Sequence, residues 1–205
     1  MEILRQGAES IIYLDKFENQ NVLVKERIPK KYRIKEIDER LRKERTKKEV
    51  KLLTEARKFG VETPAILDVT ENKIVMQFID GKTVKEIFYS AKEGEVVKIS
   101  KEIGRIIGLL HSNGIIHGDL TTSNMILKNG KIFLIDFGLG EFSKRIENQG
   151  VDLNLLEEAI KATHFKIYPL VWENIITSYK KEYKAANEVL LKVNEIEKRA
   201  RYAER

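Results

Sequence analysis

The sequence predicts an α+β chain of two small lobes, a β-sheet lobe over residues 1–79 and a mainly helical, truncated lobe over residues 80–205, facing each other across a cleft. Three observations carry this expectation. Short β-branched runs separated by turn residues occupy the start of the chain, apolar residues at helical spacing occupy most of the remainder, and two acidic motifs sit between a helix and a hairpin in the second half.

Met1 to Gln6, Ser10 to Phe17 and Asn21 to Ile28 read as three strands. From Lys35 to Phe59 the composition is helical, and Gly60 with Thr63-Pro64 ends the helix. Lys73 to Ile79 forms another strand, which runs into Asp80-Gly81. Val96, Ile99, Ile103, Ile106, Ile107 and Leu110 recur at helical spacing and stop before Asn113-Gly114, a C-cap signal. Asn124 to Lys128 and Lys131 to Asp136 flank Asn129-Gly130, a good two-residue hairpin turn. Asp152 is expected to cap the next helix and to brace the loop below the first acidic motif; helices around Leu170 to Tyr183 and from about Asn187 complete the chain.

The acidic motifs are His117-Gly-Asp-Leu-Thr-Thr-Ser-Asn-Met-Ile-Leu127 and, nine residues further on, Asp136-Phe-Gly138. They read as the catalytic loop and metal-binding turn of a kinase-type phosphotransferase. Phosphoryl transfer passes through a loose transition state, so the protein contributes mainly positioning and cations. Asp119 stands where a carboxylate orients the attacking hydroxyl or water. Asn124 and Asp136 offer an amide and a carboxylate oxygen to magnesium, with manganese as the alternative; hard oxygen donors suit such ions, and a chain with no Cys and three His has no soft cage to offer. Gly118 replaces the arginine that reads an activation-loop phosphate in regulated kinases, so that kind of switch is not expected.

The first lobe supplies the nucleotide half. Lys25, in the third strand, is placed to contact the α- and β-phosphates. Glu44, Glu49 and Glu55 all lie in the following helix, but at about 100° per residue only Glu49 joins Leu52, Leu53 and Ala56 on the apolar face. A carboxylate there needs a cation, and Lys25 is the one available. The Gly7-Ala8-Glu9-Ser10 turn is expected to approach phosphate through backbone amides and the Ser10 hydroxyl, with Glu9 repelling it if turned inward. Met76 is expected behind the adenine, with Gln77, Phe78 and Ile79 as the hinge that offers it backbone groups. Only 69 residues follow Asp136, no Ala-Pro-Glu occurs, and Leu139 to Gly150 alone separates the Asp-Phe-Gly turn from the next helix, so the activation segment is nearly absent.

His-Gly-Asp-Leu-Thr-Thr-Ser-Asn-Met, Asp-Phe-Gly-Leu-Gly, the single-glycine Gly-Ala-Glu-Ser turn, Arg45-Thr-Lys-Lys-Glu49 and Gly60-Val-Glu-Thr-Pro64 together resemble the small atypical kinase of the KEOPS (EKC) tRNA-modification complex, over essentially the whole chain. The resemblance implies a minimal bilobal protein-kinase-like fold and an ATP-dependent serine/threonine kinase or ATPase. It also implies two partners, the threonylcarbamoyl-transferase subunit and a small subunit on the N-terminal lobe. Lys25, Glu49, Asp119, Asn124 and Asp136 carry over by position. Arg199, Arg201, Tyr202 and Arg205 form a tail less basic than the family's usual ending, with a partner-binding role.

Composition fits this setting. No apolar run is long enough to cross a membrane, no apolar signal segment opens the chain, and a cytoplasmic protein is expected. The 34% of charged residues and the absence of Cys point to a thermophilic, archaeal source. Of the net charge of +6, residues 25–58 carry +8 and the rest −2, so the basic helix 35–58 is either a solvated face or a contact for tRNA phosphates. Two other classes stay open. A small-molecule phosphotransferase of the aminoglycoside- or sugar-kinase kind would share His-Gly-Asp but needs a longer second lobe, and a scaffolding pseudokinase would be expected to lack a catalytic position.

Overall fold

The first half of the chain is built from hairpins. The computed structural model describes residues 2–203, with side chains from 2 to 199. Met1, expected to start the first strand, lies outside the described residues. Strands β1 (Glu2–Gln6), β2 (Ser10–Phe17) and β3 (Gln20–Arg27) run antiparallel. Glu18 and Asn19 turn β2 into β3 with φ of 47° and 63°, the left-handed geometry that matches strand twist in a two-residue hairpin. Helix α1 (Lys35–Lys58) then crosses behind the sheet, and β4 (Ile66–Val69) and β5 (Lys73–Gln77) complete it in the order β1-β2-β3-β5-β4. Gly60, at φ 83°, ends α1, and the Val61 amide bonds back to the Ala56 carbonyl while the Val61 side chain is buried.

The second half is helical with small sheets inserted. After β6 (Lys82–Thr83), Thr83 and Glu86 cap each other's backbone amides to start α2 (Val84–Phe88). Helix α3 (Glu93–Ser112) buries the whole predicted apolar stripe and stops at Gly114, φ 68°. Then follow β7 (Ile115–Ile116), a 3-10 turn at Thr122–Asn124, the hairpin β8 (Met125–Lys128) and β9 (Lys131–Leu134), and β10 (Glu141–Phe142). Asn129 and Gly130 form the hairpin turn with φ of 50° and 76°, as their sequence demanded. Helices α4 (Ile146–Thr163), α5 (Tyr168–Glu182) and α6 (Ala186–Ala203) close the lobe. Gly104 lets α3 and α5 touch backbone to backbone: a Cβ there would collide with the Ile175 carbonyl.

The core is continuous from Leu52, Leu53 and Ala56 of α1, through Met125, Leu134 and Phe137, into α3, α4, α5 and α6. The sheet has a separate buried cluster of only Tyr13, Val22 and Val24.

Two expectations change. Helix α4 starts at Ile146, so Asp152 lies inside it and caps nothing; Arg145 is at the N-cap without a side-chain bond. The segment between Gly138 and that helix is consequently shorter still, Leu139 to Arg145, and β10 stitches it antiparallel to β7. Among the described residues no helix is long and apolar enough to cross a membrane.

Candidate active site

Alternation along β3 puts Lys25 and Arg27 on one face, toward α1. Glu49 arrives on the inner face of α1 and is 1% exposed. Lys25 Nζ lies 2.6 Å from Glu49 Oε1 and 2.8 Å from Asp136 Oδ1, while an Arg27 guanidinium nitrogen lies 2.5 Å from Glu49 Oε2. Glu44 pairs outward with Arg40 and Glu55 with Lys58, as the helical angle required. Arg27 was not singled out from the sequence, although its two-residue offset from Lys25 marks the same face.

The catalytic loop is held from below. Asp152, 1% exposed, accepts the backbone amides of His117 at 2.9 Å and Gly118 at 2.8 Å, and a bond from His111 Nε2 at 3.3 Å. Tyr179 closes the far side of His111 at 2.8 Å, and Gln149 holds the His111 carbonyl at 3.1 Å. Asp152 therefore braces the loop, as its position implied; His111, Gln149 and Tyr179 have no motif to betray them, since each meets the loop from a different helix. Burial acts to raise the Asp152 carboxyl, and the hydrogen bond and charge of His111 outweigh it, leaving it below its ordinary value. Burial likewise depresses the His117 imidazole, so the ring is neutral: Nε2–H donates to the Ile135 carbonyl at 3.1 Å and Nδ1 accepts the Asp119 amide at 3.2 Å.

Gly118 adopts φ 82°, and a Cβ there would collide with the Leu139 carbonyl. No side chain fits, which is the physical content of the missing arginine. Asn124 Nδ2 donates to both the Asp119 carbonyl and Asp119 Oδ2 at 2.9 Å, which fixes the carboxylate and turns the amide oxygen away from it. Asp136 takes φ 62°, a left-handed conformation that Asp tolerates better than most residues, and its Oδ1 also accepts the Gly138 amide at 3.2 Å. Burial pushes the Asp136 carboxyl up, but Lys25 and the Gly138 amide outweigh it and hold it below the ordinary carboxylate value.

Between the lobes lies a cavity of about 260 Å³ lined by Lys25, Glu49, Met76, Gln77, Phe78, Ile79, Asn124 and Asp136, among others. Asp119 reaches it through Asn124 and does not itself line it. Gly7, Ala8, Glu9 and Ser10 do not line it either. Glu9 pairs with Arg45 of α1 at 2.5 Å, so its carboxylate faces the helix, and that hydrogen bond, with the charge of Arg45, holds it below its ordinary value against the opposing effect of burial. Leu4 and Arg5 of β1 line the cavity instead, a contribution not anticipated from an edge strand.

The donor set suits magnesium. Asp136 offers an anionic carboxylate at low pKa and Asn124 an amide oxygen not engaged by Asp119, while no cluster of three or more His, Cys, Asp or Glu exists among the described residues to favour a softer, all-protein metal cage. Asp136 and Asn124 are therefore the residues that would hold a divalent cation together with a nucleotide.

Many of the basic residues of α1 are engaged in ion pairs, Arg42 with Asp38, Lys43 with Glu71 and Arg45 with Glu9 among them. In the tail, α6 stays helical to Ala203, and Arg199 pairs with Glu147 of α4 at 3.1 Å. The side chains of Arg201 and Tyr202, and all of Arg205, lie outside the described residues.

A hairpin sheet over a helical lobe, with a Lys-Glu-Asp bridge between them and an Asp-Asn pair beneath, defines a kinase-type phosphotransferase. The chain belongs to the RIO-domain family, which it matches over residues 12–139, and within it to the Bud32 group. It is 48% identical to the KEOPS complex subunit Bud32 of Pyrococcus abyssi, with 100% of this chain and 98% of that protein aligned. It is 44% identical to a probable serine/threonine-protein kinase BUD32 homolog of Archaeoglobus fulgidus, over 91% of each chain. A probable bifunctional tRNA threonylcarbamoyladenosine biosynthesis protein of Methanosarcina mazei is 45% identical over 98% of this chain, which spans 36% of that longer protein. Among solved structures, WaaP in complex with acyl carrier protein superimposes with a TM-score of 0.68 at 12% identity, covering 98% of this chain and 88% of the other, a likeness of fold.

Proposed function

We propose that the chain is an ATP-dependent kinase of the serine/threonine type, able to pass the γ-phosphate to water as an ATPase, and that it works in the cytoplasm as a subunit of a KEOPS complex in tRNA threonylcarbamoyladenosine formation. The observation that carries the catalytic half is the bridge of Lys25 to both Glu49 and Asp136 at the wall of a cavity of about 260 Å³. In this reading the backbone of Gln77 to Ile79 receives adenine against Met76, and Lys25 turns to the phosphates. Asn124 and Asp136 hold magnesium, which supplies charge neutralisation at the phosphates when bound. Asp119, its carboxylate fixed by Asn124, orients the attacking hydroxyl or water and takes its proton.

Partners rest on the relatives. A chain of this kind forms 36% of a bifunctional biosynthesis protein, which supports close association with a threonylcarbamoyl-transferase subunit. The segment from Leu139 to Arg145 is too short to hold a peptide, so a bound subunit shapes the outer wall of the cleft. A small subunit on the sheet lobe and a tRNA contact along residues 35–58 belong to the same reading; ion pairs at Arg42, Lys43 and Arg45 leave that contact to lysines such as Lys47, Lys48 and Lys51.

The test follows γ-labelled ATP with and without the transferase subunit. Magnesium-dependent release of phosphate, or its transfer to protein, that disappears in Asp119→Asn is the expected result. A wild-type chain that binds no magnesium–ATP in either setting overturns the reading.

A further inference from the structure

Glu49 is a buried carboxylate with two cations. Lys25 takes one oxygen at 2.6 Å and Arg27 the other at 2.5 Å, and both cations are nearly as buried as the carboxylate itself, at 6% and 4% exposure. One cation balances the charge of one carboxylate, so the second requires its own explanation. The Arg27 Nε is buried without a hydrogen-bond partner, a cost that packing alone would have removed by placing an apolar residue there. Together Lys25, Arg27, Glu49 and Asp136 form a continuous row, Arg27–Glu49–Lys25–Asp136, with two positive and two negative charges.

The balance of that row holds only until a nucleotide arrives. If Lys25 shifts its charge toward the phosphates, Glu49 loses part of its compensation while still buried, and an uncompensated buried carboxylate is costly. Resting on the reading of Lys25 as the phosphate-binding lysine, we propose that Arg27 is a positioning residue: it holds and neutralises Glu49 independently of Lys25, so that Lys25 is free to engage the phosphates while α1 stays in its inward position. Arg27 does not itself line the cavity, and its ion pair is with Glu49, which does. Its route to the reacting groups runs through Glu49. Without it, Glu49 has only Lys25, and the competition between carboxylate and phosphates for one ammonium reduces the fraction of productive complexes.

The experiment compares Arg27→Met and Arg27→Lys with wild type in magnesium–ATP turnover, nucleotide affinity and thermal unfolding, alone and in a Glu49→Gln background. Arg27→Met should lower kcat on the order of tenfold or more per folded molecule, with a much smaller change in KM, because placement of a reacting group is lost and the adenine site is untouched. Arg27→Lys, which keeps the charge and loses the guanidinium fork, should recover part of that loss. In Glu49→Gln, where no carboxylate needs holding, replacing Arg27 should change kcat little further. Unchanged kcat in folded Arg27→Met, or the same fractional loss with and without Glu49, overturns the proposal; should Arg27→Met not fold, the same criteria apply to Arg27→Lys. Failure of the underlying reading has a different signature: Lys25→Met, in an otherwise wild-type chain, leaves turnover unaffected.

Discussion

The two halves of the cleft are built to different standards. The catalytic loop rests on a buried polar network in which Asp152 takes two backbone amides and His111, with Tyr179 and Gln149 behind, inside a core drawn from four helices. The sheet above it buries only Tyr13, Val22 and Val24 as a cluster of its own, and its Gly7–Ser10 turn is held by the backbone bonds of Gly7 to Ser10 and Ile28 to Glu9 and by one partly exposed side-chain pair, Glu9 with Arg45. In the proposed reaction, the half that would align the reacting groups is over-determined, and the half that would cover the nucleotide is left able to yield. Helix α1 belongs to both, since its apolar face is part of the lower core and its charged residues grip the sheet.

The sharpest break should come at the loop itself. Asp119→Asn keeps shape and cavity but loses the carboxylate proposed as the base, and turnover should fall by about 10²–10⁴ with magnesium–ATP affinity retained. Asp136→Ala should instead weaken magnesium–nucleotide binding directly, and isothermal titration with and without magnesium separates the two. Retained turnover in Asp119→Asn would remove the loop from its assigned role.

Next comes the brace. Asp152→Ala strands the amides of His117 and Gly118 in the interior and should cost about 2–5 kcal/mol of unfolding free energy in urea titration. Its pH dependence has a definite sign. The Asp152 carboxyl is depressed in the folded chain below its ordinary 3.8, so the stability it confers is complete above that value and lost as pH falls through the lower folded value. Asp152→Asn should accordingly lose less stability than wild type between pH 5 and the acid limit, as about pH-independent at that site as a neutral amide is. An equal acid slope in both would mean other carboxylates dominate.

A direct comparison of the two cores is smaller in effect. Leu156→Ala, in the helical lobe, should cost about 2–5 kcal/mol, and Val24→Ala, in the sheet, about 1–2 kcal/mol. Hydrogen exchange should show the same ranking, with β1 and β2 amides opening before those of α3. The smallest change is Glu9→Gln, which removes a partly exposed pair and should move stability by about 0–1 kcal/mol while loosening the Gly7–Ser10 turn. A large loss there would show that the sheet is held far more firmly than its core implies.

What the sequence made legible follows the range of each interaction. The Asn129-Gly130 hairpin, the stripe on α3 and the inward face of Glu49 are local periodicities, and all stand in the structure. The motif residues also meet, because His-Gly-Asp and Asp-Phe-Gly flank one hairpin. Less local features were missed or misplaced. Arg27 needs the register of β3 against α1, His111 and Tyr179 need helix packing, and Asp152 reads as a cap until α4 is seen to start at Ile146. Arg5 lines the cavity only because β1 pairs with β2 and folds over it.

The fit of Gly118 against Leu139 is a two-sided steric lock. At Gly118 any side chain meets the Leu139 carbonyl, and at Gly140 a Cβ would come within 2.7 Å of the Ile116 carbonyl, so the loop and the segment after the Asp-Phe-Gly turn exclude side chains from each other on both sides. An arginine at Gly118 could not be accommodated unless the facing Leu139–Gly140 segment moved as well. A phosphate-reading side chain at position 118 is thus ruled out by backbone packing on the opposite side of the loop, not by anything in the loop's own sequence.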